Sequence, residues 1–187
     1  MLAPQQGIYV NKQTEKTGNI FLVGPMGSGK SAVGRRLATA LRLDFHDSDD
    51  EIEVRTGVDI ALIFDKEGEN GFRHRETAVI EELTGLEGIV LATSGGTPVK
   101  QENRNHLSQR GTVVYLYTSV AEQLRRTAKS THRPLLQCDD PGAVLEQLMQ
   151  ERDPLYREIA DLIIKTDGRQ VGSVVGEVRQ LLAQEDE

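Results

Sequence analysis

The octapeptide Gly24-Pro25-Met26-Gly27-Ser28-Gly29-Lys30-Ser31 satisfies the pattern G-x-x-x-x-G-K-[ST] at every fixed position. Its setting constrains the fold further. Asn19-Ile20-Phe21-Leu22-Val23 before it is a short apolar run that reads as a buried strand. Residues 32–43 after it carry Val33, Leu37 and Leu41 at helical spacing among small alanines. A strand, a glycine-rich loop and a helix in that order form a cradle for phosphate. The glycines let the backbone approach an anion, and successive N–H groups and the helix N-terminus point at its oxygens. In that chemistry Lys30 supplies a point charge to the β- and γ-phosphates, and the Ser31 hydroxyl supplies a ligand to Mg2+. The stretch predicts a protein that binds a magnesium nucleoside triphosphate.

The rest of the chain alternates strand and helix patterns to its end, which predicts an α/β domain with a parallel sheet. Length, 187 residues, suits one such domain, and the first 17 or so read as a polar, partly disordered extension. We therefore expect a polar segment over residues 1–18 and a single domain over 19–187. No apolar run approaches the roughly 18–20 residues of a membrane span. The lone cysteine, Cys138, excludes an internal disulfide and fits a reducing, cytoplasmic compartment. A formal net charge of −7 argues against nucleic acid or an anionic membrane as partner. An acidic chain that binds a polyanion must gather its positive charge locally, which directs attention to particular arginines.

Taken in order, Leu43-Asp44-Phe45-His46 reads as a second strand ending in Asp47-Ser48-Asp49. In an extended segment residues i and i+2 face the same way, so Asp47 and Asp49 are expected to project together at the carboxyl end of a strand. One would assist the metal and the other handle a proton; the bland alternative is a helix cap. Residues 52–82 read as helix broken at Gly57 and around 67–71, its last piece opening at Phe72 with Ala78, Val79, Ile80 and Leu83 on an apolar stripe. Arg73 and Glu76, three apart, would ordinarily be a surface ion pair. A central strand over 89–93 ends in Ser94-Gly95-Gly96, where glycines permit close approach of backbone to ligand. It closes without an Asp, leaving Asp47 as the metal carboxylate. A fourth strand covers 113–117, and the polar, basic stretch 129–139 with Arg133 is a candidate lid. Pro141 opens a helix that Pro154 is expected to interrupt, before a fifth strand over 162–165 and a closing helix. The four histidines show no metal-ligand spacing.

These landmarks together resemble shikimate kinase, of the P-loop kinase architecture. Beyond the phosphate loop, the resemblance rests on Asp47-x-Asp49, Phe72-Arg73-x-x-Glu76, Gly95-Gly96, Arg133-Pro134-Leu135-Leu136 and Arg152-x-Pro154-Leu155-Tyr156, in that order. It implies a three-layer fold with a five-stranded parallel sheet of order 2-3-1-4-5, counting residues 19–23 as strand one, and a mobile lid. It also implies transfer of the γ-phosphoryl group of ATP to the 3-hydroxyl of shikimate, with Mg2+ required. Carried onto this chain, Lys30, Asp49 and Arg133 are catalytic, and Ser31 and Asp47 hold the metal. Gly27, Ser28, Gly29, Lys30, Ser31, Ala32, Arg126 and Arg133 contact the nucleotide, as does Arg169, to which no separate role is attached. Asp49, Arg73, Gly95, Gly96 and Arg152 contact the acceptor, whose carboxylate the two arginines would grip. The expected partners are ATP and shikimate, for a monomer. One departure stands out: the family commonly has three glycines where this chain has Ser94-Gly95-Gly96, so Ser94 inherits no role. The rival acceptor is another hydroxylated acid such as gluconate. A switch-type GTPase is disfavoured, because the one string resembling a guanine-reading motif, Asn11-Lys12-Gln13-Thr14, precedes the loop and lacks the Asp.

Overall fold

The computed structural model describes residues 8–9, 18–128 and 138–185. Its elements run β1 (Ile8–Tyr9), β2 (Ile20–Val23), α1 (Lys30–Leu41), β3 (Asp44–Asp47), α2 (Ser48–Thr56), α3 (Ile60–Leu83) and β4 (Ile89–Ala92). A short 3-10 turn (Thr97–Val99) follows, then α4 (Gln101–Arg110), β5 (Thr112–Tyr117), α5 (Val120–Thr127), α6 (Pro141–Ile159), β6 (Leu162–Lys165) and α7 (Val171–Glu185).

The strands lie in the order β1-β6-β5-β2-β4-β3. From β3 to β6 all pairs are parallel, with Phe21 of β2 flanked by Leu91 of β4 and Val113 of β5. Counting β2 as strand one, this is the implied order 2-3-1-4-5. The N-terminal extension corrects the sequence reading: β1 pairs antiparallel with β6 and adds a sixth strand at the edge.

Strand alternation builds the three layers. Phe21 and Val23 point to one face and pack with Leu91, Tyr115, Ile80 and Leu107 beneath α2, α3, α4 and α6. Ile20 and Leu22 point to the other and pack with Val33 and Leu37 of α1 and Val174 and Val178 of α7. The central strands are therefore buried on both sides, and their continuous apolar composition follows from that.

The expected breaks appear at Gly57, the C-cap of α2, and within the segment from 60 to 83 at Gly68, whose φ of 69° only glycine adopts cheaply. The helices depart from expectation in two places. Ala78 is exposed, whereas Val79, Ile80 and Leu83 are buried. Pro154 does not interrupt α6, which continues from 141 to 159. Pro154 is exposed and so is Gln150, whose carbonyl loses its helical donor and can turn to water.

At the amino ends of the strands, away from the phosphate loop, the polar side chain of Asn19 helps to tie the fold. Asn19 is 1% exposed. Its amide donates to the carbonyls of Leu86 (2.6 Å) and Arg110 (3.4 Å), and its oxygen accepts from the Ile89 amide (3.1 Å). Asn19→Ala orphans these buried backbone groups and should lower the unfolding free energy by about 2–4 kcal/mol. Urea titration at constant m-value measures it; a loss below about 0.5 kcal/mol, usual for surface positions, would contradict this assignment.

Candidate functional site

The phosphate loop leaves β2 and enters α1 through Gly29, the N-cap residue, in a left-handed conformation at φ 88°. No side chain caps α1, and its first turn holds no acid. The helix therefore presents unsatisfied N–H groups and the positive end of its dipole to the loop, where an anion fits. Lys30 Nζ donates to the carbonyls of Gly24 and Pro25, each at 2.8 Å, and to Ser28 Oγ at 3.3 Å. Arg126 borders the same loop, donating from Nη1 to the Gly27 carbonyl at 3.0 Å and from Nη2 to the Thr166 carbonyl at 2.7 Å. Arg169 follows the same turn, since its backbone N–H donates to the Thr166 carbonyl at 3.1 Å. Its guanidinium bonds to Lys165, Ser173 and Glu177 rather than to the loop.

Asp47 and Asp49 reach the loop by a different route from the one the spacing suggested. Asp47 ends β3 and is the N-cap of α2; Asp49 lies in the first turn of that helix, so the two do not share an extended segment. Capping and site geometry coexist in one carboxylate. Asp47 Oδ1 accepts from the Asp49 amide at 3.0 Å, while Oδ2 accepts from Ser31 Oγ at 2.5 Å. A hydroxyl and a carboxylate side by side at a phosphate site are the hard oxygen donors that Mg2+ takes alongside phosphate oxygens and water. Among the described residues no cluster of three or more His, Cys, Asp or Glu could hold a metal alone.

Asp49 is the electrostatic centre. The residue keeps some surface open, but its Oδ1 is buried without a hydrogen-bond partner. Burial, then the negative charges of Asp47 and Glu76, push its pKa from 3.8 up to about 7, against the opposing pull of Lys30 and Arg73. Asp49 thus lies within electrostatic reach of both the phosphate-loop lysine and the α3 arginine.

Arg73 is not the surface residue its spacing implied. It is 5% exposed, and its partner Glu76 is fully buried. Arg73 Nη1 donates to Glu76 Oε2 at 2.8 Å, while Nε and Nη2 reach the half-exposed Glu69 Oε1 at 3.3 and 3.2 Å. The guanidinium lies flat against Gly96, where an added Cβ would stand 1.9 Å from Nη2. Tyr156 Oη donates to the Gly95 carbonyl at 2.5 Å. Burial raises the Tyr156 pKa, and the charges of Arg152 and Arg73 both pull against that rise, so both guanidiniums act on one hydroxyl. Arg152 is 8% exposed with its Nε buried and without a partner, and it lines a small cavity with Pro25, Met26, Gln123 and Tyr156.

The expected site residues Gly27 to Ala32, Arg126, Asp47 and Asp49 thus gather around the loop, and Arg73, Gly95, Gly96 and Arg152 around its neighbour. The expected lid over 129–139, with Arg133, lies outside the described residues apart from Cys138 and Asp139. Sequence reasoning missed Ser94, Thr97 and Tyr156 as polar partners; Glu76 entered as a three-residue spacing and as part of the Phe72-Arg73-x-x-Glu76 resemblance, with no polar role attached.

The family model for shikimate kinase matches residues 26–183. A shikimate kinase of Shewanella amazonensis is 57% identical over 164 residues, spanning 88% of this chain and 96% of its own. The solved shikimate kinase from Acinetobacter baumannii in complex with shikimate is 50% identical with a TM-score of 0.89, covering 91% of this chain and 96% of that one. A gluconokinase from Sinorhizobium meliloti, 20% identical with a TM-score of 0.58 over 89% of this chain and 92% of its own, shares the fold alone.

The raised pKa of Asp49 has a consequence for stability. A carboxyl whose folded pKa lies above its unfolded value holds a proton that the unfolded chain has released. That contribution is full at low pH and is lost as pH rises from about 3.8 through about 7. Asp49→Asn removes this dependence, so the variant should gain stability relative to the parent between pH 5 and pH 8. Urea midpoints of the two at both pH values measure it; a constant difference would contradict the burial of this acid.

Proposed function

This chain belongs to the shikimate kinase family, and from that premise we propose how its residues carry γ-phosphoryl transfer from ATP to the 3-hydroxyl of shikimate. Phosphoryl transfer asks mainly for alignment and for stabilisation of charge on the moving group. The loop amides of Gly27, Ser28, Gly29 and Ala32 and the N-terminus of α1 receive the phosphates. Lys30 turns from the loop carbonyls to the β- and γ-phosphates. Ser31 and Asp47 hold Mg2+, which when bound neutralises charge across the phosphate oxygens. Arg126 flanks the nucleotide at the turn it shares with Arg169, and Arg133 closes over the phosphates from the lid. Shikimate binds with its carboxylate between Arg73 and Arg152, alongside Gly95 and Gly96, and its 3-hydroxyl toward Asp49.

The observation that carries this reading is the place of Asp49, an acid raised to about 7 within electrostatic reach of Lys30 and Arg73 together. A base near neutrality combines adequate ionisation with a useful driving force for proton transfer. Ionised, Asp49 orients the hydroxyl and accepts its proton as the new P–O bond forms and the bond from the γ-phosphorus to the departing ADP oxygen breaks.

ADP release followed with and without shikimate tests the reaction, and gluconate serves as the rival acceptor. We expect release to depend on shikimate and gluconate to be inert. Asp49→Asn should retain ATP binding and lose about 10²–10⁴-fold in turnover, the range for a positioned base. Near-normal turnover in that variant would remove Asp49 from the chemistry.

The acceptor end has its own test. Arg73→Lys and Arg152→Lys should each weaken shikimate binding by about 2–5 kcal/mol in calorimetric titration, since lysine cannot make the planar two-point contact. Affinity for ATP should hold. Gly96→Ala should mimic Arg73→Lys, because the new Cβ displaces the guanidinium rather than the backbone. Unchanged shikimate affinity in all three would refute the carboxylate clamp.

A further inference from the structure

Ser94 replaces the first of the glycines that the resemblance leads one to expect, and its side chain is bonded on both sides. Its Oγ donates to Glu76 Oε1 at 2.6 Å and accepts from Arg73 Nη1 at 3.4 Å. Since Arg73 Nη1 also donates to Glu76 Oε2 at 2.8 Å, the three side chains close a ring. Thr97 Oγ1 shares Glu76 Oε1 at 2.7 Å. The backbone takes part as well: the Ser94 amide donates at 3.1 Å to Oγ of Ser48, the fully buried first residue of α2 and the neighbour of Asp49. Among the described residues Arg42 is the one non-glycine with positive φ, so serine sits at 94 without backbone strain.

We propose that Ser94 is a positioning residue for acceptor recognition: its hydroxyl fixes the Glu76 carboxylate that aims the Arg73 guanidinium at the carboxylate of shikimate. This rests on the carboxylate-clamp reading of Arg73. A guanidinium on a long stem reads a carboxylate well only when its plane is set beforehand. Glu76 sets that plane on the Nη1 side, and Ser94 sets Glu76. The Nε and Nη2 side is held by Glu69, which is half exposed and can yield to a ligand carboxylate. Thr97 and Arg73 remain on Glu76 when the Ser94 hydroxyl is removed, so the loss falls on aim rather than on folding.

The experiment is steady-state kinetics of Ser94→Ala and Ser94→Gly with ATP and two acceptors, shikimate and its methyl ester. The ester keeps the 3-hydroxyl and lacks the charge. Both variants should raise KM for shikimate about five- to tenfold, the scale of one ordinary intramolecular hydrogen bond, with kcat changed less than about twofold. KM for ATP and kcat/KM for the ester should stay at parental values. An unchanged KM for shikimate overturns the proposal. So does an equal loss with the ester, or a defect in Ser94→Ala that Ser94→Gly lacks, which would assign the effect to the methyl group. Arg73→Lys in the same assay separates the two levels. If it loses the preference for acid over ester while the Ser94 variants keep it, Ser94 alone is excluded. If Arg73→Lys keeps the full preference, the clamp itself falls and the proposal with it.

Discussion

A carboxylate with no exposure to water governs the half of this site proposed to take the acceptor. Glu76 is fully buried, and an ionised carboxylate in that position is tolerable only if its oxygens are filled. Arg73 fills one, and Ser94 and Thr97 share the other. Those partners come from α3 and from the segment following β4, so satisfying one charge fastens the helical layer to the carboxyl end of the sheet. Removing one member of such a pair strands the other, typically at about 3–5 kcal/mol. The same charge contributes to the raised pKa of Asp49. One buried acid thus holds the arginine in place and helps to keep a second acid near neutrality.

The phosphate half depends on a different constraint. Parallel strands end together, so the loops after β2, β3 and β4 meet at one edge of the sheet. There α1 begins without a side-chain cap and without an acid in its first turn. Lys30 meanwhile is engaged by carbonyls of its own loop, which keeps its charge at the site. Ser31 and Asp47, brought into contact from α1 and the end of β3, complete an oxygen pair suited to a cation that comes with phosphate. Asp49 lies where the two halves meet.

Much of this was legible in the chain. The phosphate loop announced itself by its glycines and its strand–helix setting, and the apolar runs around 21, 91 and 115 marked strands buried on both faces. Burial was not legible: an Arg73–Glu76 spacing of three has the same letters on a wet helix face and in a core. Asp49 was expected on a strand because alternation says nothing about where a helix takes over, and Asp47 caps a helix that begins at Ser48, ahead of the one expected from residue 52. Pro154 passes within α6 where both it and Gln150, whose carbonyl it leaves without a donor, are exposed, a matter of tertiary placement. The pairing of Ile8 and Tyr9 with β6 carries no periodic signal over two residues. Ser94 looked like a lost glycine and proved to be a polar partner, because hydrogen-bond geometry between distant segments has no sequence pattern.

The proposed chemistry rests on an acid titrating near neutrality within electrostatic reach of both Lys30 and Arg73. The most direct test is the pH titration of the Asp49 side-chain carboxyl by carbon NMR in the ligand-free protein. Its midpoint is expected at about 7. A midpoint near 4, where an ordinary aspartate titrates, would mean the carboxyl is solvated and remote from Glu76, and would contradict the arrangement described.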